Sequence, residues 1–161
     1  MNQDLQISSI NATNWRITAV TFREPTGLLV VAVVGIVGNS ITTSVVGKRR
    51  TSAWKANVAS SVKHARGGKI WNPQWQYAIT IGFSFCRALR GNQRLDVENY
   101  LKPSIDALAA GLFNSDEQDS RSIQRYNYDD SNFKYLFVYR LPDAKVASEE
   151  GAAFCVSVQR N

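Results

Sequence analysis

Acidic side chains are nearly missing from the first 95 residues, where only Asp4 and Glu24 stand against 12 lysines and arginines. Soft metal ligands are equally scarce. The chain has two cysteines, Cys86 and Cys155, and one histidine, His64, with no spacing that would make a zinc site or a disulfide framework. Both cysteines lie in apolar stretches, so buried thiols in a reducing cytoplasm are expected. The longest apolar run, Leu28–Val37, is far shorter than the roughly 20 residues a membrane helix needs. The first residues show neither a basic nor an apolar leader region, so no secretory signal is expected. Repeats and low-complexity segments are absent. So are a glycine-rich phosphate loop, a nucleophilic serine motif and a thiol–histidine pair, which argues against P-loop nucleotide hydrolysis and acyl transfer.

What the chain does have is an uneven charge. It is 161 residues long with a net charge of +6, the size of one domain around a single core. Residues 1–95 carry a net +10, whereas residues 96–161 carry 11 acids against 7 bases, a net −4. A basic body attracts phosphates, and carboxylates gathered in one later stretch can hold a cation or do chemistry. A merely solvated basic surface would look the same at this level.

Residues 1–24 read as an N-terminal extension with one added strand at Trp15–Phe22, followed by a turn at Glu24–Gly27. The main domain then spans 25–161. Leu28–Val37 is short and rich in valine, as expected of a strand buried on both faces. A helix capped by Thr51 or Ser52 presents Trp54, Val58 and Val62 on one face and ends at Gly67-Gly68. Residues 76–86 alternate cleanly and predict a strand with Tyr77, Ile79, Ile81, Phe83 and Phe85 on one side. A second helix starts near Asn99–Lys102, with Pro103 in its first turn and Gly111 as its stop. Arg121–Tyr128 and Phe133–Leu141 read as a hairpin, and Ala153–Val158 as a last strand. The fold expected is a single α/β (α+β) domain, a mixed sheet with two helices packed on it.

The informative stretch is RLDVENYLKPSIDALAAGLFNSDEQ, residues 94–118. In extended backbone Asp96 and Glu98 would point to one side, roughly 6–7 Å apart, where two carboxylates can converge on a divalent cation. Oxygen donors favour Mg²⁺ or Mn²⁺. Asn99, Lys102 and Asp106 follow at helical spacing, and Asp116 and Glu117 come after the helix. Ordinary capping and surface roles would use the same residue types. Lys48, Arg49, Arg50, Arg87, Arg90 and Arg94 are the candidate phosphate contacts, each equally suited to a solubilising role. Trp54 is expected in the core, and His64 on the surface at a helix end.

D-V-E-N-Y-L-K-P-S-I-D-A-L followed by L-F-N-S-D-E-Q resembles the signature of the RusA family of Holliday-junction resolvases. Asp96, Asn99, Lys102, Asp106, Ala107, Leu108, Phe113, Asp116 and Gln118 match it in order and spacing. Glu98, Ser115 and Asp119 depart from it. The resemblance spreads weakly over residues 28–141 and implies a RusA-like fold. It also implies a Mg²⁺-dependent endodeoxyribonuclease, with Mn²⁺ as a substitute, that resolves four-way DNA junctions by paired symmetric nicks in recombination and repair. Asp96, Glu98 and Asp116 would then be the metal ligands, and Lys102 would serve the scissile phosphate. Asn99 and Asp106 would support them from behind or pack the helix. The implied partners are branched DNA and a second copy in a homodimer, with no membrane, in cytoplasm on nucleoid DNA. The alternative is a junction-binding module of the same fold with weak or no cleavage. A third reading is an assembly protein whose basic half meets an acidic partner.

Overall fold

Alternation of apolar and small residues builds the sheet. The computed structural model describes residues 27–90, 96–114 and 132–159. Strand β1 (Leu28–Val34) leads to helix α1 (Val45–Ala65), strand β2 (Gln76–Ser84) and the single turn α2 (Arg87–Arg90). Helix α3 (Glu98–Phe113), strand β3 (Phe133–Arg140), a 3₁₀ turn (Ala147–Glu149) and strand β4 (Gly151–Gln159) complete the order. The four strands form one mixed sheet in the order β1-β4-β2-β3. β4 is antiparallel to both neighbours, and β2 and β3 run parallel. This is the α+β architecture expected. The extension and the Arg121–Tyr128 strand lie outside the described residues.

One face of the sheet carries the core. Leu29, Val31 and Val33 of β1, Ile79, Ile81 and Phe83 of β2, and Phe154 and Val156 of β4 are all buried there. Trp54, Val58 and Val62 of α1, with Tyr100, Leu108 and Leu112 of α3, belong to the same cluster. Each large side chain so buried contributes about 1.5–3 kcal/mol. β1 was expected to be buried on both faces. It is buried on alternate residues instead, with Val30 38% exposed, because both long helices pack against the other side.

Three helix boundaries differ from expectation for identifiable reasons. α1 starts at Val45, where Ser44 accepts the Gly47 N–H at 3.0 Å, well before Thr51. Gly111 does not end α3, which continues to Phe113. A β-carbon on Gly111 would come within 2.6 Å of Val62, so this glycine sits there to let α1 and α3 touch. Arg66 closes α3 from outside, donating to the carbonyls of Gly111 (2.7 Å) and Asn114 (2.8 Å).

The third case is Pro103. It lies inside α3, past its first turn, and is buried. Having no N–H, it cannot bond the carbonyl four residues back, that of Asn99. Ser40 takes that carbonyl instead, through its backbone N–H (2.8 Å) and its hydroxyl (2.9 Å). The proline therefore opens a docking point for the Gly38-Asn39-Ser40 segment on the start of α3.

Candidate active site

Asp96 and Glu98 stand at the start of α3. Val97 has right-handed helical angles (φ −57°, ψ −33°), so Asp96 and Glu98 are presented by a helical turn and not by the extended backbone expected. Residues two apart in helical backbone do not share a face, so the common direction expected from an extended strand is not found. Asp96 helps to form the turn. Its Oδ1 accepts the Glu98 N–H at 3.3 Å and its carbonyl accepts the Asn99 N–H at 3.1 Å. Negative charge at this end also complements the helix dipole.

Asp96 and Glu98 are exposed, and among the described residues neither forms an ion pair. Exposed carboxylate oxygens of this kind are the hard donors that a divalent cation takes. Among the described residues no three metal-ligating side chains form a cluster. Asp116, the third ligand expected, lies outside the described residues.

One and two turns along α3 from Glu98 come Lys102 and Asp106. Lys102 Nζ is 3.0 Å from Asp106 Oδ1, and Lys55 Nζ on α1 is 3.0 Å from Asp106 Oδ2. The Asp106 side chain is only 13% exposed, against 57% for Lys102. Asp106 thus ties two lysines from two helices to one carboxylate, leaving the Lys102 ammonium at the surface. Asn99 contributes through the carbonyl that holds Ser40. Lys55 was not among the candidates. Its position beside Asp106 follows from the α1–α3 crossing, which its own sequence neighbourhood does not reveal.

The basic candidates divide. Lys48, Arg49 and Arg50 are exposed on the first turns of α1. Arg87 is exposed and paired with Asp143, which also holds Arg140 at 2.8 Å. Arg94 lies outside the described residues. Arg90 needs correction as a DNA contact, because it is buried and its guanidinium is fully engaged inside the protein. It bonds both oxygens of Glu150, the Val37 carbonyl (2.9 Å) and the Tyr100 hydroxyl (3.4 Å), and lies 5.0 Å over the Tyr100 ring. Desolvation is the main influence on its pKa and lowers it from the usual arginine value.

Glu150 is fully buried and was missed altogether. Its oxygens also accept the N–H groups of Val37 (2.9 Å) and Cys86 (2.9 Å). It therefore joins the ends of β1 and β2 to the start of β4, and through Arg90 to α3. A Glu-Glu pair ahead of an apolar strand gave no sign of which glutamate turns inward. Trp54 is in the core as expected, donating from Nε1 to Ser104 at 2.9 Å, and His64 is exposed near the end of α1.

Residues 36–133 match the family model described as endodeoxyribonuclease RusA, which is more than half of the 161-residue chain. The chain belongs to the RusA family. It is accordingly an endodeoxyribonuclease of the kind that acts at DNA junctions, and the matched span contains α1, β2 and the whole of α3. No curated protein matches the chain. No helix among the described residues is long and apolar enough to cross a membrane.

Proposed function

We propose that this RusA-family protein cuts four-way DNA junctions by paired, symmetric nicks with Mg²⁺ or Mn²⁺, as a homodimer in recombination and repair. The observation that carries the reading is the two exposed carboxylates Asp96 and Glu98 at the start of α3, without an ion pair among the described residues and inside the matched span. Asp96, Glu98 and Asp116 would hold the ion. A divalent ion bound there supplies charge neutralisation at the phosphate and acidifies water for attack.

The chain's own residues supply the rest. Lys102, oriented by Asp106, offers a surface ammonium to the non-bridging oxygens of the scissile phosphate as negative charge builds on them. Asp106 limits the rotamers open to Lys102, so the ammonium need not be ordered when DNA arrives. Lys48, Arg49, Arg50 and Arg87 give the surrounding phosphates their attraction. A second copy would place the same site on the other strand, matching the pseudo-symmetry of the junction.

The test is incubation of the protein with a labelled four-way junction and a matched linear duplex in Mg²⁺, Mn²⁺ or EDTA. Paired nicks in the junction alone, lost in EDTA, are expected. Junction binding without cutting in either metal would replace this reading with the binding-module alternative.

A further inference from the structure

Helix α1 starts long before it is needed by the core. Its first buried residue is Trp54, about 13 Å along the axis at 1.5 Å per residue, and the turns before it pack on the preceding segment, Thr51 against Gly38 and Gly47 against Thr42. At the tip Ile41, Val45 and Val46 are 65%, 66% and 59% exposed. Lys48, Arg49 and Arg50 form a basic collar directly behind them, all exposed.

The tip is held firmly. Asn39 accepts the Ile41 N–H at its side chain (2.9 Å), and its carbonyl accepts the Thr51 hydroxyl (3.1 Å). Ser44 caps the helix, and Ser40, the residue before Ile41, is bonded to the Asn99 carbonyl. That carbonyl belongs to the turn that presents Asp96 and Glu98. The segment that carries Ile41 is therefore tied to the start of α3 by the bond that Pro103 leaves open.

Three branched aliphatic side chains in water add nothing to this fold, and a basic collar would repel most apolar partners that carry positive charge. A partner that offers phosphates to the collar and bare apolar faces to the tip satisfies both. Bases at a strand exchange point are such faces, because stacking is interrupted there and opening them costs least. In a linear duplex the same faces are covered by their neighbours.

We propose that Ile41, Val45 and Val46 form a wedge that packs against base faces at the branch point of a DNA junction, while Lys48, Arg49 and Arg50 hold the flanking phosphates. This rests on the junction-DNA reading above and adds to it a source of structure selectivity. Phosphate contacts made along a single arm are the same in a duplex and in a junction. The wedge makes the difference between them.

The experiment uses the full chain in EDTA, with a four-way junction carrying 2-aminopurine beside the branch point and a linear duplex carrying it at the same sequence. The unsubstituted protein should raise the 2-aminopurine fluorescence of the junction only. A triple variant, Ile41→Thr, Val45→Thr and Val46→Thr, keeps β-branching at all three positions, one carbon shorter at 41, and should lose that rise. Its junction affinity should fall about tenfold, the scale of one lost base-stacking contact, with duplex affinity changed less than about twofold. If the triple variant is misfolded by circular dichroism, Ile41→Thr alone, in the loop before α1, should lower both signals in the same sense. Retained fluorescence and junction preference would overturn the wedge, as would an equal loss on both DNAs. Conversion of a dimer to a monomer in sedimentation would overturn it too, by assigning the tip to a contact between copies. If the unsubstituted protein neither prefers nor cuts junctions, the proposed function fails and takes the wedge with it. If it does both and the variant matches it, only the wedge fails.

Discussion

Two carboxylates of this chain, Glu150 and Asp96, are treated in opposite ways. Glu150 is fully buried and accepts from two backbone N–H groups and the Arg90 guanidinium. Asp96 is exposed, and its side chain makes one 3.3 Å contact with the turn that follows it. Asp106, with two lysines, and Asp143, with two arginines, stand between them. A buried carboxylate must have its charge matched inside the protein and has nothing left to offer a ligand. One left exposed without a cation contributes little to the fold and keeps its lone pairs for an outside partner. The pairing of a carboxylate, more than its place in a motif, thus separates structural acids from candidate ligands.

The sharpest way to break that contrast is to remove Glu150. Glu150→Ala strands Arg90 in the interior and orphans the Val37 and Cys86 N–H groups, so it should cost about 3–5 kcal/mol in urea unfolding. The adjacent Glu149 side chain lies at the surface, partly exposed, and accepts the Lys145 N–H at 3.2 Å. Glu149→Ala should therefore stay within about 0.5 kcal/mol. Equal losses at 149 and 150 would show that the buried pair is not what ties the strand ends together.

Asp96→Asn should do the reverse. Cleavage of a four-way junction should fall at least about a hundredfold, near 2.7 kcal/mol of barrier, with stability within about 0.5 kcal/mol. Binding to the junction should be unchanged or tighter, because a charge that repels phosphate has gone. Normal cutting by this variant would remove Asp96 from the ligand set. Asp106→Asn should fall between the two. It weakens the links to Lys55 and Lys102 together and should cost about 1 kcal/mol of stability, with a several-fold loss of cleavage rate at unchanged junction affinity. A larger loss of affinity than of rate would make Lys102 a plain DNA contact.

The sequence showed the α+β class, the strand expected at 76–86 and found at Gln76–Ser84, the buried face of α1 and the carboxylate stretch, since each follows from local periodicity or a contiguous motif. It misplaced whatever depends on a contact between distant residues. Pro103 could not be placed correctly without Ser40, which takes the carbonyl it frees. Gly111 looked like a stop because Val62, the reason for it, lies far off in the chain. Arg90 looked like Arg87, and Glu150 like Glu149, until β4 brought Glu150 under α2. The spacing of Asp96 and Glu98 was legible, but the backbone between them was not, because the helix begins before Asn99.

The smallest effect expected is at Asp143, and it extends the contrast to a paired but exposed acid. The hydrogen bond from Arg87 is the main cause that holds its carboxyl below the usual carboxylate range, with Arg140 assisting. Its pKa is lower in the folded than in the unfolded chain, so ionised Asp143 stabilises the fold above the unfolded value. That contribution fades as pH falls through the folded one. The stability difference between the unsubstituted chain and Asp143→Asn should therefore be flat from neutral pH down to about 4 and shrink below it. Because Arg87 is 73% exposed, salt should shrink the difference further. A difference that instead grew in acid, or ignored salt, would mean that Asp143 acts through packing and not through its charge. The scale running from Glu150 to Asp96 would then lose its middle step.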